Sequence, residues 1–213
     1  MVGFWDYTVI LTYLSVISSL VGICFASQEK YLLAVACLLG SGLCDMFDGM
    51  VARTKKNRTE TEKKFGIQLD SLADVICFGA FPAFLGYTLC KETPFWLPSI
   101  IVGVLYVVCA IARLAYFNVT EEIRQKETTE KRKNYEGLPV TTIALIVPTL
   151  FITYGFLGKY FKLAYLVVIF LTAAAFVIKF KVRKTGKTGS IVMVIIGILL
   201  FAILLAMKLN GMW

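Results

Sequence analysis

The sequence predicts an all-α membrane protein, a single polytopic domain (1–213) built as a bundle of six to seven transmembrane helices. Three observations carry that prediction. Of the 213 residues, 58% are hydrophobic and the mean hydropathy is +0.76, against about 45–50% apolar residues in an ordinary soluble domain. The apolar residues fall in runs of about 20, the length that crosses ~30 Å of hydrocarbon. The polar stretches between runs alternate between rich and poor in Lys and Arg, the bias that orients membrane helices.

Seven runs follow one another: Tyr7–Ser27, Tyr31–Arg53, Phe65–Cys90, Phe95–Asn118, Leu138–Leu157, Phe161–Phe180 and Thr188–Leu209, the sixth being the weakest. No alternating segments of about ten residues suggest a barrel, and no repeat or low-complexity tract is evident. The first run is expected to be a retained helix rather than a signal peptide, because no Lys or Arg precedes it and it is too long for an h-region. Trp5 and Tyr7 read as interfacial anchors at its start.

The net charge of +8 does not point to nucleic acid. The stretches 53–64, 119–136 and 179–187, with Arg113, hold 17 of the 22 Lys and Arg. These basic loops are expected in the cytoplasm together with the N-terminus, and the C-terminus outside. Attraction to anionic headgroups is a secondary use of the charge. The six cysteines form no C-x-x-C and read as small buried hydrophobes. There is no histidine, so the commonest general base and zinc ligand are missing. Chemistry must rest on carboxylates, Lys, Arg or metal ions.

The stretch CDMFDGMVARTKKNRTETEKKFGIQLDSLAD places four aspartates at the ends of the second and third runs. Asp45 and Asp48 stand three apart, and Asp70 and Asp74 four apart, so each pair shares a helix face. The helices are consecutive and antiparallel, so the two acidic faces can meet. An Asp at the centre of a membrane helix costs about 2.5–3.5 kcal/mol, less near the interface, and four together need cations. Oxygen ligands without His or Cys suit a hard ion such as Mg²⁺, Mn²⁺ or Ca²⁺, and four carboxylates suffice for two ions. An ion or proton pathway is the other reading of such a cluster. Gly49 and Gly66 lie one turn from Asp45 and Asp70 on the same stripes. A missing side chain there admits either a ligand or a neighbouring helix.

Read as D-x-x-D-G-x-x-A-R, twelve residues, then G-x-x-x-D-x-x-x-D, the pattern formed by Asp45, Asp48, Gly49, Ala52, Arg53, Gly66, Asp70 and Asp74 closely resembles the signature of the CDP-alcohol phosphotransferases. The catalytic signature thus lies within 45–74. The family usually has eight residues between Arg and Gly. The extra residues within Thr54–Phe65 are polar and expected in the connecting loop, where one added helical turn keeps the acidic faces aligned. Further stretches, FGIQLDSLADVICFGAFPAFLGY, RLAYFNV and YEGLPVT, are similar to the serine-using branch.

The resemblance implies six core helices around a cavity open to the cytoplasm, and a homodimer. The surplus run is then the last helix or a misread sixth. It implies two ions, Mg²⁺ or Mn²⁺, held by Asp45, Asp48, Asp70 and Asp74, with Asp74 also the general base. Gly49, Ala52 and Gly66 are expected to line a cytidine pocket. The implied reaction moves the phosphatidyl group of CDP-diacylglycerol to L-serine, with surrounding membrane lipids as partners and a site on the cytoplasmic face of a bacterial or archaeal membrane. Glycerol 3-phosphate or inositol phosphate as acceptor is the second enzymatic reading. A cation transporter or channel is the third, disfavoured because runs five to seven carry no acidic residue. Arg113, at the end of the fourth run, is either a membrane anchor or the cation that meets the acceptor, with Asn118 as a polar contact. Lys131, Arg132 and Lys133 are further basic groups that could fold over the cavity.

Overall fold

The computed structural model describes residues 3–127, 134–183 and 187–209. Nearly all of it is helix: α1 (Ile10–Ser27, entered through a 3-10 turn at Tyr7–Val9), α2 (Tyr31–Ala52), α3 (Glu60–Asp74), α4 (Phe81–Cys90), α5 (Trp96–Glu127), α6 (Ile143–Ile152), α7 (Tyr154–Leu157), α8 (Phe161–Val177) and α9 (Lys187–Leu209). Among the described residues six helices are long and apolar enough to cross a membrane, and the protein is an integral membrane protein.

The fifth predicted run is the irregular one. It is split into a helical stretch over Val140–Ile152 and the short α7, and the break falls at Thr153. The sixth run is sound, a continuous α8 over Phe161–Val177.

The ends of the bundle sort as the charge pattern requires. At one end Lys55 pairs with Asp6, joining the N-terminal segment to the connection between α2 and α3. At that end too, the strands β1 (Asn134–Glu136) and β2 (Lys181–Arg183) form a small antiparallel ribbon between two of the basic stretches. The ribbon was not expected from sequence. At the other end Glu29 pairs with Lys91. Lys131, Arg132 and Lys133 lie outside the described residues.

The twelve-residue connection is shorter in space than in sequence. Helix α3 starts at Glu60, so half of the expected loop is helical. Thr59 caps it: its Oγ1 accepts from the Glu62 N–H at 3.2 Å, and Glu62 Oε2 accepts from the Thr59 N–H at 2.7 Å. Such a reciprocal cap satisfies two otherwise orphaned donors.

Between α3 and α4 the helix widens into a π-helical stretch, Val75–Ala80, directly after Asp74. Its cause is partly covalent. Pro82 has no N–H to offer the carbonyl of Phe78, four residues earlier. The Tyr106 hydroxyl of α5 donates to that carbonyl at 2.6 Å instead. Phe78, Phe81, Leu85, Tyr106, Phe151 and Tyr165 are fully buried and form the centre of the core. Cys77 and Cys90 are buried as expected, whereas Cys24 is exposed on α1.

Candidate active site

The acidic faces of α2 and α3 do meet. Asp45, Asp70 and Asp74 each offer a carboxylate oxygen, and the three oxygens lie within 4.8 Å of one another. The carboxyls approach in pairs, Asp45 with Asp74 and Asp48 with Asp70. Asp48 and Asp74 are only 9% and 8% exposed. Among the described residues none of the four is within ion-pair distance of a Lys or Arg. Four clustered carboxylates, two of them buried and two half-buried, repel and lose hydration together without a counter-ion. The arrangement therefore fits divalent cations, and an all-oxygen set with no imidazole or thiolate fits Mg²⁺ or Mn²⁺ chemistry.

Asp48 is held from outside the pair of helices. Thr12 of α1 donates its hydroxyl to Asp48 Oδ2 at 3.0 Å. Thr12 heads a buried polar stripe on α1: the Ser15 and Ser19 hydroxyls bond Ser41 of α2 at 2.7 Å and 2.9 Å. Sequence reasoning missed these residues, although the spacing 12, 15, 19 is that of one helix face. Ser and Thr barely register in a hydropathy count.

A cavity of about 350 Å³ opens on the cluster. One wall is made of Asp45, Asp48, Asp70 and Asp74. Facing them are Arg113 and Phe117 of α5 and the turn Pro139–Thr142. Leu39, Leu43, Leu145 and Met193 make its apolar lining, so α9 contributes to it.

Arg113 is 6% exposed, not a surface anchor. Its Nε donates to the Leu138 carbonyl at 3.2 Å, and its guanidinium carbon lies 5.9 Å from the centre of the Phe117 ring. That carbonyl is in position because Gly137 turns the chain with φ +78°. A Cβ there would be strained and would meet the carbonyls of Ile178 and Phe176 at 3.2 and 3.3 Å. Asn118 does not reach the cavity: its amide donates to Ser71 Oγ at 2.8 Å.

Gly49, Ala52 and Gly66 fall outside the residues that line this cavity. They stand further toward the α2–α3 connection on the same two helices. A Cβ on Gly49 would meet nothing within 4 Å, whereas one on Gly66 would meet the Arg58 guanidinium at 2.7 Å.

The cluster, its antiparallel carriers and the apolar lining define an acidic membrane site facing a cleft. The sequence model for CDP-alcohol phosphatidyltransferase matches residues 7–177, and the chain belongs to that family. The match ends with α8, so α9 is the helix surplus to it. Similar proteins include a CDP-diacylglycerol–serine O-phosphatidyltransferase of Saccharomyces cerevisiae, 40% identical over 109 residues, 50% of this chain and 37% of that protein. An archaetidylserine synthase of Methanothermobacter thermautotrophicus is 38% identical over 147 residues, 69% of this chain and 54% of that protein. A CDP-diacylglycerol–serine O-phosphatidyltransferase of Helicobacter pylori is 32% identical over 133 residues, 62% of this chain and 52% of that protein. The chain thus matches about half or less of the length of these relatives.

Proposed function

We propose that the protein transfers the phosphatidyl group of CDP-diacylglycerol to the hydroxyl of L-serine, giving phosphatidylserine and CMP. The observation that carries this reading is the joining, in one cavity, of the Asp45–Asp48–Asp70–Asp74 cluster and the buried Arg113. The three relatives described, whose names all contain serine, support the acceptor. Two of those names also specify CDP-diacylglycerol, which supports the diacylglycerol donor, while the third specifies an archaetidyl lipid.

Asp45, Asp48, Asp70 and Asp74 would hold two divalent ions, Mg²⁺ or Mn²⁺. Bound there, such ions supply charge neutralisation for the donor's diphosphate and its leaving group. Asp74 takes the proton of the serine hydroxyl. The serine oxygen forms its bond to the phosphorus that carries diacylglycerol, and the bond from that phosphorus to the CMP oxygen breaks. CMP departs with the electron pair, and no covalent enzyme intermediate is needed. Arg113 meets the serine carboxylate, a planar anion that suits a planar guanidinium. The apolar lining beside the carboxylates serves the acyl chains. The basic ends of the helices support a site on the cytoplasmic side, and the family resemblance supports a homodimer.

The test offers the purified protein CDP-diacylglycerol, Mn²⁺ and equal concentrations of serine, glycerol 3-phosphate and inositol phosphate. Phosphatidylserine with stoichiometric CMP is expected. Phosphatidylglycerophosphate without phosphatidylserine would move the acceptor while leaving the carboxylate chemistry in place, and no CMP from any acceptor would refute the enzyme.

A further inference from the structure

Asp74 is the last residue of α3, and the helix widens directly after it. At Val75 the bonding is still that of an α-helix: its N–H donates to the Ser71 carbonyl, four residues back. By Phe81 the span has grown to five residues, with the Phe81 N–H on the Ile76 carbonyl. Such π-helical turns are rare and often stand at functional sites. One residue of helix corresponds to about 100° of rotation. With Phe81 and Leu85 of α4 fully buried in the core, the place and extent of the widening decide which way Asp70 and Asp74 face.

Side chains from three other helices hold the widened stretch. The Ser15 hydroxyl of α1 donates to Cys77 Sγ at 3.4 Å. The Tyr165 hydroxyl of α8 donates to the Pro82 carbonyl at 2.8 Å. The shortest bond comes from α5: the Tyr106 hydroxyl meets the Phe78 carbonyl at 2.6 Å, and both residues are fully buried. Pro82 offers that carbonyl no N–H, and a buried acceptor without a donor is costly. We infer that Tyr106 is a positioning residue for Asp74: its hydroxyl fixes the widened turn, and the turn aims the Asp74 carboxyl at those of Asp45 and Asp70. Tyr106 is not among the residues that line the cavity, so it acts on the site only through the backbone after Asp74. The inference rests on the transferase reading above, in which Asp74 is both metal ligand and base.

The experiment is a double-mutant cycle between Tyr106→Phe and Asp74→Asn, in the full chain in detergent. Phe keeps the ring, whose centre lies 5.4 Å from that of Phe176, and removes only the hydroxyl. With Asp74 intact, Tyr106→Phe should lower kcat by about ten- to a hundredfold, the worth of a misplacement near ~1 Å, and leave the KM for serine and for CDP-diacylglycerol unchanged. With Asp74→Asn already present it should cost almost nothing more, because the group it aims is gone. Mn²⁺ affinity, followed by electron paramagnetic resonance, should show the same non-additivity without any turnover. Pro82→Ala reaches the same carbonyl from the other side: it restores an N–H, lets the turn close, and should reproduce the Tyr106→Phe pattern. It decides the question if Tyr106→Phe does not fold. Parental kcat and Mn²⁺ affinity in the folded variant would overturn the inference. So would equal losses in both backgrounds, the mark of general support for the bundle. A parent that binds Mn²⁺ but releases no CMP would sink the transferase reading instead, and the Mn²⁺ cycle alone would then judge Tyr106.

Discussion

The two walls of the cavity are built by different means. The acidic wall comes from two neighbouring helices and thirty residues of sequence, with ligands at spacings of three and four. The opposite wall is gathered from α5, the turn after Gly137 and α9, and Arg113, its one cation among the described residues, donates to a main-chain carbonyl. A wall built on local helix geometry survives changes in the rest of the fold. A wall built from distant pieces depends on every packing contact that brings them together. The first suits chemistry common to many substrates, the second the choice of one.

If that division is right, the largest effect belongs to the acidic wall. Asp74→Asn keeps shape and some coordinating power but cannot accept a proton. Turnover should fall by about 10²–10⁴, the usual worth of a general base, with donor binding partly retained. The check is CMP release at saturating substrates alongside CMP binding. An Asp74→Asn enzyme that turns over like the parent would move the base to another aspartate. Excess chelator should abolish activity and Mn²⁺ or Mg²⁺ restore it.

Thr12 tests whether the acidic wall is as self-contained as its spacing suggests. Thr12→Val removes the hydroxyl bonded to Asp48 and keeps the volume. Groups that orient metal ligands are typically worth about 10–100-fold in metal affinity, and a loss near the lower end is expected, since Thr12 supports one ligand of four. Mn²⁺ titration followed by electron paramagnetic resonance measures it without relying on turnover. Equal affinities in Thr12→Val and the parent would show that α2 and α3 hold the ligands unaided.

On the opposite wall, Arg113→Lys should raise the KM for serine by about tenfold, because the charge persists but the bidentate geometry is lost. The KM for CDP-diacylglycerol should change far less. A matching rise for both substrates would make Arg113 a structural support for the Gly137 turn.

Legibility followed the same division. The four aspartates could be read because their spacing matches the helix period and because a carboxylate in an apolar run is conspicuous. Most helix boundaries could be read because bilayer thickness sets run length. What stayed hidden is instructive in physical detail. The Thr12–Ser15–Ser19 stripe was invisible to hydropathy, since hydroxyls are nearly neutral on such scales. The cap formed by Thr59 and Glu62 was present in the letters T-E-T-E, but the polar composition of the connection suggested a loop. The widened helix after Asp74 depends on a tyrosine from another helix meeting the carbonyl that Pro82 leaves without a donor, and no local pattern carries that. Pairing of β1 with β2 joins stretches more than forty residues apart.

The smallest effect should come from outside both walls. Lys55 donates to Asp6 and to Glu62, each at 2.6 Å, tying the N-terminal segment to the start of α3. Neither wall uses it, so Lys55→Met should leave both KM values unchanged and lower the melting temperature by only about one or two degrees, as expected for a partly exposed ion pair. The pH dependence has a definite sign. The hydrogen bond from Lys55, with those from Thr8, holds the Asp6 carboxyl down at about 2. A carboxylate with a depressed pKa stabilises the fold above its ordinary value near 4 and loses that contribution as the pH falls toward 2. The melting difference between parent and Lys55→Met should therefore be constant from pH 7 to about 5 and close progressively below 4. A difference undiminished at pH 2.5 would mean that the lysine acts through packing of its alkyl stem. A drop in turnover comparable to that of Thr12→Val would mean that this strap helps to set the acidic wall, and the two walls would no longer be separable by where their residues lie in the sequence.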